Sequence, residues 1–174
     1  DKTRLFVINS PSNPTGVAYR RKELEALGEV LRQYPDVLIA TDDMYEHILW
    51  MDEPFANILM ACPDLYERTI VLNGVSKAYS MTGWRIGYIG APAWIARATN
   101  KMQGQITSGA NCIAQRAVIK ALEAPVSEIS YMVDTFKKRR KLIIDLLNTI
   151  EGFVTTEPEG AFYVFPNVSD FFGK

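Results

Sequence analysis

Thr69-Ile70-Val71-Leu72-Asn73-Gly74-Val75-Ser76-Lys77 is the stretch on which the fold turns. Its first four residues form a short continuous apolar run, the pattern of a strand buried on both faces. Asn73 and Gly74 break the run, and a lysine follows shortly after. Two similar runs precede it. Leu5-Phe6-Val7-Ile8 ends in Asn9-Ser10-Pro11-Ser12-Asn13-Pro14-Thr15-Gly16, a dense cluster of turn residues whose two prolines remove two backbone donors. Val37-Leu38-Ile39-Ala40 ends in Thr41-Asp42-Asp43. A fourth run, Ile86-Gly87-Tyr88-Ile89-Gly90, comes too soon for a helical crossover and is expected to lie antiparallel to the third.

Helical spacing fills much of the remainder. Leu24, Leu27, Leu31 and Tyr34 recur at three and four residues, one face of an amphipathic helix that Pro35 ends. A second helix is predicted from about Ser108 to Glu123, with Ile113, Ala117, Val118, Ala121 and Leu122 on one face. A third, from about Val126 to Ile150, carries apolar residues at 129, 133, 136, 143, 147 and 150. Gly152-Phe153-Val154-Thr155 and Ala161-Phe162-Tyr163-Val164-Phe165 read as two more strands. Helices alternating with apolar strands predict an α/β fold, a mostly parallel central sheet with helices on both faces. The break at Ala124-Pro125 divides the chain into residues 1–125 and 126–174, the long helix joining a larger unit to the start of a smaller α+β one.

In such sheets ligands bind beyond the carboxyl ends of the strands. Here those ends carry Asn13, Asp42, and the pair Ser76 and Lys77. If the strands are parallel neighbours, these side chains converge on one crevice. Lysine beside a buried strand end loses solvation, which favours the nucleophilic amine that condenses with carbonyls. Alone, Lys77 would read as an ordinary loop lysine.

Its surroundings alter that reading. Ser76-Lys77-Ala78-Tyr79-Ser80-Met81-Thr82-Gly83-Trp84-Arg85-Ile86-Gly87 closely resembles the cofactor-lysine signature of the fold-type I pyridoxal-phosphate enzymes, the class I/II aminotransferases. Asn9 to Gly16 is similar to that family's Asn-Pro-x-Gly segment, and Asp42-Asp43-Met44-Tyr45-Glu46-His47 to its Asp-x-x-Tyr segment. Glu159-Gly160-Ala161-Phe162-Tyr163 resembles the start of its C-terminal small domain. Four motifs in the family's order span residues 5 to 165. The wording around Thr41 to His47, and Gln103-Gly104-Gln105-Ile106-Thr107-Ser108, is similar to the branch of bacterial aspartate and aspartate/prephenate aminotransferases.

The resemblance implies the cofactor pyridoxal 5'-phosphate, held as a Schiff base by Lys77, whose freed amine then moves the substrate's Cα proton. It implies that Asp42 pairs with the pyridine nitrogen and that Asn13 and Tyr45 hydrogen-bond the phenolic oxygen. Arg85 is implied as a bidentate phosphate ligand, with Ser76 adding a hydroxyl. Lys77, Asp42 and Tyr45 are thus the expected catalytic residues, and Asn13 is expected beside the substrate as well. The implied reaction carries an amino group from aspartate to 2-oxoglutarate, with prephenate or aromatic substrates open, in a cytoplasmic homodimer. Two alternatives share the lysine: an effector-binding domain of a transcription regulator, and a lyase or synthase of the same fold. Relatives are about twice this length, so the chain reads as a piece of something longer. Their glycine-rich phosphate loop, ring-stacking aromatic, terminal substrate arginine and partner-subunit tyrosine would lie outside it.

Composition agrees and excludes other classes. Among 174 residues, 19 Lys+Arg balance 20 Asp+Glu, which points to neither nucleic acid nor a membrane surface. No apolar run approaches the ~20 residues of a membrane helix. Cys62 and Cys112 match no metal or disulfide spacing and are expected as two buried reduced thiols. Asp42, Asp43, Glu46 and His47 imitate a metal cluster, but no metal is expected, since Asp42 is already assigned to the ring nitrogen. His47, the one histidine, is expected to be packed or hydrogen-bonded. Lys137-Lys138-Arg139-Arg140-Lys141 is expected to be a solvated helix face.

Overall fold

The computed structural model describes residues 2–173; Asp1 and Lys174 lie outside the described residues. Four strands form one sheet in the order β1-β2-β3-β4: β1 (Leu5–Asn9), β2 (Leu38–Asp42), β3 (Thr69–Gly74) and β4 (Gly87–Gly90). The first three run parallel and β4 runs antiparallel to β3, pairing Asn73 with Tyr88 and Gly74 with Gly87. The mostly parallel α/β sheet is the one predicted, with a fast return strand at its edge.

Register shows which residues share a face. Phe6, Ile8, Ile39 and Thr41 align across β1 and β2, and Ile8 and Ile39 join a buried cluster with Leu24, Leu31, Ile58, Cys62 and Leu65. Those partners come from α1 (Arg21–Arg32), α2 (Ile58–Ala61) and the 3-10 turn Pro63–Arg68, with Cys62 at the junction of the last two. Leu5 and Val7, on the opposite face of β1, are 48% and 58% exposed. Within this chain β1 is an edge strand with one covered face, and its other face is open. Helix α1 ends at Arg32, so Tyr34 is not on its buried face but exposed beyond it.

The second half differs more from the periodic reading. Helix α3 (Ala93–Ile106) was not predicted. Its apolar residues Trp94, Met102 and Ile106 stand exposed, and only Ile95 is buried, so its pattern marks no core face. Helix α4 starts at Cys112, four residues later than expected, where the Asn111 side chain accepts from the amides of Ile113 and Ala114. Ala114 and Val118 face inward, whereas Ile113 and Leu122 point outward. Cys112, on the first turn, is exposed and only Cys62 is buried, which corrects the two-buried-thiol expectation.

The long helix divides into a 3-10 turn, Val126–Ile129, and α5 (Ser130–Leu147). Of its expected stripe, Ile143 and Ile150 remain exposed. Arg140 departs from the solvated basic run, its guanidinium bonding the Pro158 carbonyl at 2.8 Å and Glu157 at 2.9 Å. The two predicted C-terminal strands do not form. Val154 and Gly160 make single bridges, to Asn167 and Leu49, and Phe162 to Phe165 follow an irregular path. Their aromatic content serves packing on α5 and the site rather than a ladder. Among the described residues, no helix is long and apolar enough to cross a membrane.

Candidate active site

Because β1, β2 and β3 are parallel, their carboxyl ends open on one edge of the sheet. Three loops leave that edge, and each carries predicted residues. Asn9, at the end of β1, holds two of them together. Its amide donates to the Asp42 carbonyl at 3.0 Å, and its side-chain oxygen accepts from the Asn13 backbone N–H at 2.7 Å.

Beyond β2 the chain turns sharply. The Glu46 amide donates to the Asp43 carbonyl, closing a turn that contains Met44 and Tyr45. Asp42 caps it from the other side, its Oδ1 accepting from the Met44 amide at 3.3 Å. Tyr45 is thereby driven into a buried cluster with Ile48 and Ala161. Its hydroxyl hydrogen-bonds the hydroxyl of Tyr163. Burial, then the Tyr163 hydroxyl, pushes the Tyr45 phenol well above its ordinary range, and Asn13 acts in the opposite direction. Tyr45 therefore stays protonated and able to donate across the whole neutral range.

Beyond β3, Val75 is fully buried with Ile86, Ala114 and Val118, so α4 anchors the loop from behind. Backbone donations from Tyr79 to Val75 and from Ser80 to Lys77 tighten it. Lys77 is half-buried, its ammonium 5.9 Å from the centroid of Phe162. Phe162 stands edge-on to Tyr45, with centroids 5.5 Å apart, and stacks on Phe136 of α5 at 5.0 Å. Asn13, Asp42, Tyr45 and Lys77 are thus linked in one constellation.

Arg85 and Ser76 lie differently. Arg85 is exposed, adopts a left-handed φ of 54°, and donates from Nη1 to the Thr82 carbonyl at 2.9 Å. It lines a cleft of about 640 Å³ with Trp84, Gln103, Thr107 and Asn111. Ser76 is half-buried one residue before Lys77. His47 packs edge-on against Tyr79, and its Nε2 is 3.5 Å from Glu46.

Phe162 and Tyr163 belong to the Glu159–Tyr163 motif, and the sequence assigns neither of them to the site. The segment that carries them docks through backbone bonds that leave no side-chain pattern. Glu159 and Gly160 amides both donate to the Gly16 carbonyl, the Trp50 amide to Glu159, and the Ala161 amide to Ile48. Asp43 was likewise seen only as part of a charge cluster. It is 1% exposed and bonded to Thr41 and Asn57.

Comparison with known proteins decides the family. A model of aminotransferase class I and II matches residues 1–171. The chain belongs to that family. It is 56% identical over 167 residues to the aspartate/prephenate aminotransferase of Nitrosomonas europaea, covering 96% of this chain and 42% of that one. The crystal structure of the aspartate aminotransferase from Rhizobium meliloti superposes with a TM-score of 0.94 at 42% identity, covering 99% of this chain and 43% of that one. That of Thermotoga maritima gives 0.85, also at 42% identity, over 97% and 43%. The chain therefore spans less than half the length of the relatives it matches. The fold is the family's fold type I, and the family's cofactor is pyridoxal phosphate. A primary amine, a carboxylate, a protonated tyrosine and an amide suit that cofactor's aldehyde, ring nitrogen and phenolic oxygen, and the guanidinium that lines the cleft after β3 suits its phosphate.

Proposed function

We propose that this chain is the cofactor-anchoring part of a pyridoxal-phosphate-dependent aminotransferase that moves an amino group from aspartate to 2-oxoglutarate. The observation that carries the proposal is the constellation at one sheet edge. Lys77 emerges from β3 beside Phe162, Phe162 touches Tyr45, and Asn9 ties the Asn13 backbone to the Asp42 carbonyl one loop away. Aspartate as donor rests on the relatives, whose names pair it with prephenate.

When bound, pyridoxal phosphate supplies an electron sink for the substrate's Cα carbanion. The protein's share is binding, orientation and proton transfer. Lys77 would anchor the cofactor covalently and afterwards carry the proton removed from the substrate Cα. Asp42, held at the β2 terminus through the Met44 amide, would keep a proton on the ring nitrogen. Tyr45 and Asn13 would donate to the phenolic oxygen, for which the elevated Tyr45 phenol is suited because it keeps its proton. Arg85, with Ser76, would take the phosphate; the cleft beside Arg85 supplies room for it.

The division into a large unit, 1–125, and a connecting helix with the start of a small domain, 126–174, belongs to the same reading. Asn13 and Tyr45 lie on one side of that division and Phe162 and Tyr163 on the other, so the site would form where the two meet. A homodimer is proposed as well, supported by exposed Trp94, Met102, Ile106 and Ile113 on α3 and α4. Two free cysteines suit a cytoplasmic location.

The test is the absorbance spectrum of the full-length protein with pyridoxal phosphate, wild type beside Lys77→Ala. A visible band present only in the wild type and bleached by aspartate is expected. A band that aspartate leaves untouched would retain the cofactor and remove the aspartate assignment. No band in the wild type would remove the catalytic reading.

A further inference from the structure

Asp43 has no place in the chemistry above, yet every polar atom it has is engaged. Its amide donates to the Leu72 carbonyl at 2.9 Å, carrying the β2–β3 pairing one step beyond Asp42. Its carbonyl closes the turn by accepting from Glu46 at 2.9 Å. Its carboxylate accepts from Thr41 Oγ1 at 2.6 Å and from Asn57 Nδ2 at 2.5 Å. A buried carboxylate is costly unless hydrogen-bonded.

Its neighbours give it a purpose. Asp42 precedes it, and Tyr45 lies within the turn that it opens. We propose that Asp43 is a positioning residue: locked between Thr41 and Asn57, it fixes the 42–46 turn so that Asp42 and Tyr45 are presented together toward the Lys77 loop. This rests on the proposed function and deepens it.

The chemistry of Asn57 makes the idea specific. Its side-chain oxygen is already committed, accepting from the Met60 amide at 2.7 Å as the N-cap of α2. Its NH2 therefore faces position 43 and requires an acceptor there. An amide at 43 can keep its oxygen toward Asn57 only by turning its NH2 on Thr41, whose buried hydroxyl would then accept and lose the carboxylate that now takes its own proton; turning the Asn57 amide instead would uncap α2. Exchanging the two residue types, by Asp43→Asn with Asn57→Asp, restores complementarity: the new carboxylate caps α2 with one oxygen and accepts from the amide at 43 with the other.

The experiment compares full-length, cofactor-loaded wild type, Asp43→Asn, Asp43→Asn/Asn57→Asp and Thr41→Val, each assayed below its unfolding midpoint. The readouts are kcat and KM for aspartate, together with the visible cofactor band. Asp43→Asn is expected to lower kcat on the order of tenfold or more, as small misplacement does, with KM nearly unchanged and the band displaced. The exchanged pair is expected to recover most of both readouts, and Thr41→Val, which removes one tie, to show a smaller loss of the same kind. If Asp43→Asn does not fold, Thr41→Val and the exchanged pair decide alone. A folded Asp43→Asn with wild-type kcat and band, or Thr41→Val unchanged in both, would reduce Asp43 to a structural residue and overturn the proposal. So would a folded exchanged pair that recovers neither readout. A wild type without any band would instead sink the functional reading, and this inference with it, whereas a normal wild type with unaffected variants sinks only the inference.

Discussion

The Lys77 ammonium stands 5.9 Å from the centre of the Phe162 ring, although 85 positions separate the two in the chain (162 − 77). Phe162 is held there by stacking on Phe136 and by its edge contact with Tyr45. An aromatic face attracts a cation at this range, by about 0.5–1 kcal/mol when partly exposed. Phe162→Leu keeps an apolar group but deletes that face and both ring contacts. It is expected to cost roughly 1–2 kcal/mol of stability and to slow the capture of pyridoxal phosphate by Lys77 several-fold. Urea unfolding and stopped-flow absorbance measure the two effects. Wild-type capture kinetics would show that the ring contributes nothing to placing the lysine.

Two glycines offer opposite outcomes for the same substitution. A Cβ on Gly160 would sit 2.5 Å from Pro11 Cβ and Cγ and 3.0 Å from the Ile48 carbonyl, so backbone or a rigid ring must yield. Gly160→Ala is expected to destabilise by about 1–3 kcal/mol through overpacking and to loosen residues 158–161 from the Gly16 carbonyl. Gly104, inside α3, meets nothing within 4 Å. Gly104→Ala is expected to stabilise by up to about 1 kcal/mol, the ordinary helix-propensity gain. Chemical denaturation of the pair tests both, and a neutral Gly160→Ala would mean that the docked segment is softer than its contacts imply.

These contacts show what the sequence conveyed and what it withheld. Strands β1 to β4 were legible because each is a short apolar run ended by turn chemistry, and Asn13, Asp42 and Lys77 were legible as the polar groups that follow. The residues after Gly160 were misread as a strand because alternating aromatic and aliphatic side chains suit either a ladder or irregular packing against α5. Backbone bonds to Gly16 and Ile48 selected the second, and backbone bonds have no signature in residue type. Helix α3 was missed for a related reason: Trp94, Met102 and Ile106 are exposed, so no stripe distinguishes inside from outside. Asp43 reads as one acid among several until its burial and its two partners are seen.

Arg68 supplies a purely structural prediction. Its guanidinium donates to three carbonyls, Leu31 at 2.7 Å, Tyr34 at 2.9 Å and Val37 at 2.6 Å. These carbonyls lie where α1 ends and the chain turns toward β2, where backbone donors reach Leu31 and Tyr34 only through tight turns. A positive group there also opposes the negative end of the helix. Arg68→Met preserves the stem and removes all three donations; the Leu31 and Tyr34 carbonyls keep the backbone amides of Tyr34 and Val37, so the loss should be about 1–3 kcal/mol and fall mainly on the Val37 carbonyl. Arg68→Lys can satisfy fewer of them at once and should fall between. Thermal unfolding of the three proteins gives the order, and an Arg68→Met as stable as wild type would show that water satisfies this helix end equally well.

Asp43 also predicts how stability responds to pH. Burial raises its carboxyl from an ordinary 3.8 to about 6; the Thr41 and Asn57 hydrogen bonds oppose the shift, while Glu46 and Asp42 add to it. An acid whose folded value lies above its unfolded value binds its proton more tightly when folded. The resulting stabilisation is complete below about 3.8 and is lost as pH rises through about 6. Wild type should therefore gain on Asp43→Asn as pH falls from 7 to 4, by about 2 kcal/mol from linkage. Differencing against a variant that cannot titrate at this position cancels the carboxylates common to both. Urea unfolding of the pair across that range measures the gap. A gap that narrows on acidification would mean that Thr41 and Asn57 hold the ionised form more strongly than burial penalises it, and Asp43 would then belong with the acids whose loss of charge weakens the fold.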